Sequence, residues 1–464
     1  MINLTPLPLL LIGLLLTGCV TKAPDAETRR ETSFPIPETY DAAVAASRDQ
    51  ATPLADSLLA LFGDPVLSNQ VQQALNQNPD LLLTQARIAE AHYLAEQSGS
   101  GKKPTLSASG GAARLKFLPN TSSANRFELG LDASWEVDVW GRIGAFETAA
   151  EYDVEALRAD LSAARESVAA QFMQAWFDRI TQQQLLDLTE RRIASFERTE
   201  DLIQERFEFG TGELGDLDSA KTDTELAKAD LPRQTEAVAK AERGMRGLIG
   251  GYPNAGAMQA GEGTPILPEL ESEIAAGLPS SLLLNRPDIR AAYQRILAAD
   301  QRVVVASADR VPGLVLTGSL GQQSEALKNL IKSGFDVWSI ASQLSAPIFD
   351  AGRLEMAERA AEARVAQAIH QYDGTVLGAF EEVENALGSE EALKQEQAQV
   401  ILALEAARKA EEKIRGDYEN GLSDILLLLD IQRRIFTTEE RLINLQNNRL
   451  QNRIGLGLAL GLGV

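Results

Sequence analysis

From Glu147 to Phe209 the chain holds neither Pro nor Gly and is rich in Ala, Glu, Gln, Arg and Leu. Such a run reads as one helix, and at ~1.5 Å per residue it reaches about 95 Å. A globular core cannot bury a helix that long, so it needs a coiled-coil partner. Gly210-Thr211-Gly212 breaks it, and Leu214 to Leu248 returns as an antiparallel partner, with a kink expected at Pro232.

The stretch before this helix changes period. Phe127, Leu129, Leu131, Ala133, Trp135, Val137 and Val139 alternate with Glu128, Gly130, Asp132, Ser134, Glu136 and Asp138. Period 2 held this long is a strand with one dry and one wet face, and it matches the ~9–11 residues that cross a membrane. Glu128, Asp132, Glu136 and Asp138 would not enter a packed core without partners, so the wet face looks to water. Pro104 opens a preceding strand of small residues, and the two make a hairpin over about 104–139.

The pattern then repeats. Asn78-Pro79-Asp80-Leu81 matches Arg286-Pro287-Asp288-Ile289, and Pro104, Gly110 and Phe127 meet Pro312, Gly318 and Phe335 at the same offset. Later Arg142, Phe207 and Gly210 meet Arg353, Tyr418 and Gly421. A steady register of this kind marks an internal duplication. The domains are then a signal peptide (1–18), a tether (19–53), repeat 1 (54–249), a linker (250–269), repeat 2 (270–458) and a short tail (459–464). Repeat 2 has a hairpin near 312–348 and long helices near 354–417 and 425–454, the first weakened by Gly374, Gly378 and Gly388.

A net charge of −22 argues against a nucleic-acid partner. It suits either an acidic lumen or a solvated acidic surface. Two His and one Cys leave little for a metal site, and no cofactor is expected. The fragment Gly99 to Lys102 lacks phosphate-loop spacing, and nothing points to an enzyme. The Leu7 to Leu16 run is too short to span a bilayer and reads as an export signal.

Leu16-Thr17-Gly18-Cys19 resembles the lipobox of bacterial lipoproteins, in which the Cys becomes the lipidated first residue. Cys19 is the only Cys in the chain. Val20 is not the Asp that retains such lipoproteins at the inner membrane, which implies delivery to outer-membrane lipid. The leader departs from the pattern in having no Lys or Arg before Leu7.

Four alternating strands cannot close a barrel, since the smallest membrane barrels use about eight. In lipid, open edges leave backbone groups unpaired. Either the strands lie in a soluble sheet, or several identical chains share one barrel. Each half also offers one long helix pair that needs neighbours, and a ring of chains meets both needs.

FGDPVL (Phe62 to Leu67), WEVDVWGR (Trp135 to Arg142), NRPDI (Asn285 to Ile289), PIFDAGR (Pro347 to Arg353), FEEVENAL (Phe380 to Leu387) and DYENGLSDILLLLDIQR (Asp417 to Arg433) stand in order. Together they resemble the outer membrane factor family, the TolC-like efflux channels, in its lipoprotein branch. The resemblance implies a mainly α protein with a membrane β-barrel. In it a homotrimer forms a twelve-strand barrel and an α-helical periplasmic tunnel. It also implies a periplasmic adaptor protein and an inner-membrane pump, with passive conduction of the pumped substrate. A duct for type I protein secretion is the near alternative, and a non-conducting lipid-anchored scaffold a more distant one.

The same resemblance places adaptor docking at the helix tips, Gly210, Thr211 and Gly212 with Gly421, Leu422 and Ser423. A gate above them is held by Asp rings and a Tyr/Arg network. Asp216 and Asp430 fall on the acidic positions and Tyr418 on the aromatic one. Asp417 stands where relatives carry Arg and Leu427 where some carry an acid, so Arg415 or Arg433 is expected to supply the cation. Glu128, Asp132 and Glu136 are the lumen candidates.

Overall fold

The computed structural model describes residues 22–24, 29, 31–41, 57–116, 123–254, 266–270, 285–332, 334 and 336–464. The export signal, Cys19 and Phe335 lie outside the described residues. In chain order the elements are α1 (Pro65–Gln77), α2 (Pro79–Gly99), β1 (Thr105–Leu115), β2 (Ala124–Val137), α3 (Arg142–Glu208) and α4 (Leu214–Ile249). Then come α5 (Pro287–Ala308), β3 (Gly313–Ser324), β4 (Asp336–Ser345), α6 (Arg353–Glu419) and α7 (Ile425–Ala459). The long helices α3 and α6 have 67 residues each. Pro232 sits inside α4 without ending it, and α6 runs unbroken through Gly374, Gly378 and Gly388. The described residues fall into two compact units.

The first unit carries a four-stranded antiparallel sheet in the order β1-β2-β3-β4. Register makes its two faces explicit. Leu131 lies opposite Ala108 and Leu320, and Leu320 opposite Trp338, so one row of the sheet is wholly apolar. The next row over is Ser107, Asp132, Ser319 and Ser339, all small or polar. The dry face is not buried: Leu106, Leu320, Trp338 and Leu344 are exposed and Ile340 is 82% exposed. Among the described residues the outer edges of β1 and β4 have no strand partner.

Each strand pair hands over to its long helix through an aspartate cap. Asp138 accepts from the backbone of Ile143 and Gly144 at 3.0 and 2.7 Å. Asp350 does the same for Gly352 and Leu354 at 3.0 and 2.8 Å. These bonds satisfy first-turn N–H groups that have no partner inside the helix. They hold the Asp350 carboxyl below its ordinary pKa, the Leu354 bond most of all.

The second unit packs α1 and the return helices α4 and α7 on the middle of α3. Its core includes Leu67, Val71, Phe172, Met173, Met245 and Ile454, all fully buried. The FGDPVL motif is the start of α1: Asp64 caps Val66 and Leu67, and Pro65 takes the first helical position. The NPDL and NRPDI motifs are equivalent locks. Asn78 donates to Leu248 O at the end of α4 (2.9 Å), and Arg286 donates to Ala459 O at the end of α7 (3.0 Å). Each return helix then stops at a left-handed glycine, Gly250 or Gly461. A Cβ on Gly250 would come 2.6 Å from Gln77 O, and one on Gly461 would come 3.1 Å from Arg286 Cγ. Both glycines are required by conformation and by space.

The segment expected to be an extended tether is docked where it is described. In the first unit Arg29 grips Asp300 with two bonds (2.9 and 2.8 Å), and Ser33 Oγ donates to Asp373 (2.7 Å). In the second, Phe34 meets Phe380 edge-on and Asp41 N donates to Glu384 (2.8 Å). Tyr40 is buried there, and burial, with Glu384 nearby, pushes its hydroxyl up to about 12. Composition suggests a tether because the segment lacks periodicity; its contacts are isolated pairs with residues distant in sequence, which periodicity does not report. Asp300 is buried, so Arg29→Ala strands a carboxylate at a cost on the order of 3 kcal/mol. We expect proteolysis within residues 29–41 to accelerate at least tenfold while helix content stays unchanged, read by limited digestion and circular dichroism.

Candidate functional site

Two places collect the residues singled out from sequence, one in each unit. Cys19, the lipidation residue, lies outside the described residues.

The first place is the wet face of the sheet. Asp132 is exposed at mid-sheet and accepts from Ser109 Oγ at 2.6 Å. Ser319 and Ser339 bond each other at 2.8 Å in the same row. Glu128 is exposed above Gly111, where a Cβ would meet its carboxylate at 2.7 Å. Glu136 differs from the expectation of an open carboxylate. Arg142, the first residue of α3, grips it with bonds of 2.8 and 2.9 Å, so Glu136 ties the strand end to the helix start. A pair this close is largely neutral to passing ions. Trp135 and Trp140 lie at the same end and donate their indole N–H to Lys102 O and Pro312 O.

The second place is the end of the two helix hairpins. Gly210 and Gly421 take φ near +74° and +72°. Beyond them Thr211 N and Gly212 N bond Arg206 O, and Leu422 N bonds Asp417 O at 2.8 Å. These are helix C-caps that need a left-handed residue, and they repeat between the halves. Ser423 is half-buried, next to Asp424, which caps α7 through Leu426 N. Exposed apolar side chains crowd the tips: Phe209 is 83% and Leu422 78% exposed, with Leu214, Leu426 and Leu427 also open. Sequence reading picked out the glycine turns and missed this apolar rim. The signal was the Ile425 to Leu429 run, whose Ile425, Leu428 and Leu429 face inward and whose Leu426 and Leu427 face out.

All four long helices share a small core here, made of Ile203, Leu217, Tyr418, Ile425, Leu428 and Leu429. Tyr418 is only 6% exposed. Its cation is neither Arg415 nor Arg433, as expected from sequence. Arg415 pairs with Glu411 one turn back, and Arg433 grips Asp223 of α4 with bonds of 3.0, 3.0 and 2.7 Å. The guanidinium over the Tyr418 ring is that of Arg206, 4.4 Å from the centroid, and Arg206 also donates to Glu419 O at 3.2 Å. The repeat register held the clue: the relation that carries Gly210 to Gly421 carries Arg206 to Asp417, the position where a cation was missing. Asp430 pairs with Arg434 (2.8 Å) on the same helix. Asp216 has no such partner, and burial, then Asp424 and Glu213, raise its carboxyl above the ordinary value. Among the described residues no His, Cys, Asp or Glu group could hold a metal ion.

The profile of the family described as Outer membrane efflux protein matches residues 70–251 and 278–462, one span in each repeat. The chain belongs to the outer membrane efflux protein family. The probable outer membrane lipoprotein SilC of Salmonella typhimurium is 25% identical over 97% of this chain and 96% of its own. The solvent efflux pump outer membrane protein SrpC of Pseudomonas putida is 30% identical over 87% of this chain and 86% of its own. The solved outer-membrane channel OprN superposes with a TM-score of 0.85 at 25% identity, over 96% of this chain and 99% of that one. The family is one of channels, its place is the outer membrane, and this efflux protein shares both.

Two outcomes check the tip geometry. Arg206→Ala removes a ring contact worth about 1 kcal/mol and a helix-end bond. Amide exchange from Gly416 to Leu422 should quicken several-fold, with Arg206→Lys partly restoring it. Asp216 contributes stability while protonated and loses it as pH rises through its raised value. Asp216→Asn should therefore raise the thermal midpoint at pH 7 and leave it unchanged at pH 3.

Proposed function

We propose that three copies of this efflux protein form one duct through the outer membrane. The observation that carries the reading is the sheet, with an exposed apolar face and two open edges. Three such sheets joined edge to edge would have twelve strands, enough for a barrel whose wet face lines a passage. Lipid on Cys19 would hold the chain at the membrane through two or more acyl chains, since one gives only marginal binding.

The duct works without catalysis and without a cofactor. An inner-membrane pump drives the substrate, and a periplasmic adaptor meets the apolar rim at Gly210–Gly212 and Gly421–Ser423. SrpC, named as the outer membrane protein of a solvent efflux pump, supports a pump as partner. The tips close the passage. On a three-fold axis Asp216 and Asp430 would each form a ring of three carboxylates, the second with Arg434 beside each member, and such rings attract cations. The contacts of Arg206 with Tyr418 and of Arg433 with Asp223 would brace each chain's tips, which supports a gate at this end.

Purified full-length protein in planar bilayers should form small channels that millimolar divalent cations block. Asp430→Ala combined with Asp216→Ala should weaken the block at least tenfold. Absence of channels under all conditions would overturn the duct, and an unchanged block would overturn the gate. Cysteines at Thr211 and Leu422 should crosslink the adaptor, and failure there would remove tip docking alone.

A further inference from the structure

The duplication supplies an internal control for an ion cluster in the second unit. The relation that carries Gly210 to Gly421 carries Arg179 to Glu390 and Glu242 to Arg453. Arg179 and Glu242 pair at 3.3 Å between α3 and α4, and Glu390 and Arg453 pair at 2.8 Å between α6 and α7. The four side chains are 6% to 11% exposed. The same tie therefore joins each return helix to its long helix, with the two charges exchanged. In the first half one cation answers one carboxylate. The second half adds Arg449, where the first has Val238.

Arg449 is more than this tie needs. It reaches the Glu390 oxygen already taken by Arg453, at 3.3 Å, and donates to Gln397 Oε1 at 2.6 Å. Its side chain is 12% exposed, and its Nε is buried with no acceptor among the described residues. A buried donor left without a partner is costly, and a guanidinium has five N–H groups to place. Beside Arg449 lies a cavity of about 380 Å³ between α6, α7 and residues 266–270. Pro268, Leu270 and Ile401 give it an apolar wall, and Lys394, Gln446 and Arg449 a polar one. Glu269, the one carboxylate in the lining, is exposed. The first-repeat counterparts of Lys394 and Gln397 are Gln183 and Leu186, so the two cations belong to the second repeat alone.

A cavity of this size, with an apolar wall and a few convergent polar groups, has the usual form of a small-molecule site. We propose that it binds a small organic anion, a carboxylate or sulfonate carried on an apolar body of one or two rings. Arg449 and Lys394 hold the anionic group, and Leu270 and Ile401 hold the body. One wall comes from the stretch that joins the repeats and the other from the second hairpin, so the bound anion fastens the two together. The site is complete within one chain and uses neither the sheet nor the tips.

The test titrates full-length protein in lipid nanodiscs with 2-naphthoate and with its neutral isostere 2-naphthamide, read by saturation-transfer NMR against empty nanodiscs. Naphthoate should bind at least tenfold more tightly than the amide, and equimolar inorganic phosphate should not displace it. Arg449→Val, which installs the side chain found at Val238 in the first repeat, should weaken naphthoate at least tenfold and leave the amide as it was. Lys394→Gln changes an exposed side chain and should weaken naphthoate several-fold; it decides the matter if Arg449→Val fails to fold. Equal affinity for naphthoate and the amide overturns the proposal, since the cavity would then be an apolar crevice only. Displacement by equimolar phosphate overturns it as well, since any anion would then serve. Naphthoate binding that survives the two substitutions unchanged overturns the assignment of Arg449 and Lys394, and the proposal with it.

Discussion

A four-stranded sheet with an apolar face open to its surroundings and two unpaired edges is the condition on which the rest of this protein depends. Each unpaired N–H or C=O in lipid costs several kcal/mol, so such a sheet must close on something. The row Ala108, Leu131, Leu320, Trp338 gives the face that wants lipid, and the neighbouring row Ser107, Asp132, Ser319, Ser339 gives the face that wants water. Joining copies of the chain satisfies both rows and both edges at once. In the proposed assembly identical helix hairpins would also stand side by side, giving a long α3 or α6 its neighbours.

The duplication makes the helical part economical to specify. Asn78 to Leu248 and Arg286 to Ala459 are the same tie in two chemistries, an amide in one half and a guanidinium in the other. The tips are likewise one turn built twice, around Gly210 and Gly421. The halves diverge where one chain must join them. Arg206 from the first half covers Tyr418 from the second, and Arg433 from the second grips Asp223 from the first. Such crossed pairs tie the two hairpins of one chain to each other.

Much of this was legible in the residues. The first long helix declared itself by its run from Glu147 to Phe209 without Pro or Gly, the second by its place in the repeat, the strands by alternation, and the hairpin ends by glycines that match between the halves. Pairing between side chains was not legible. Glu136 looks like an open carboxylate until Arg142, six residues on, is brought back over it by the strand-to-helix turn. Arg415 and Arg433 are the candidates for the gate cation missing at Asp417, yet the guanidinium over Tyr418 is that of Arg206, because two helix ends meet in space. The docked segment at Arg29 and Tyr40 shows the same limit, since its partners Asp300 and Glu384 lie hundreds of residues away. Periodicity reports which face is dry; it does not report which distant charge answers which.

The two faces of the sheet should meet different solvents. Spin labels on single cysteines at Ile340 and Ser339, adjacent residues of β4 on opposite faces, test it most directly in lipid nanodiscs. The label at 340 should relax with oxygen and ignore a water-soluble nickel chelate, while the label at 339 should do the reverse. Free access of the nickel chelate to both labels would contradict it.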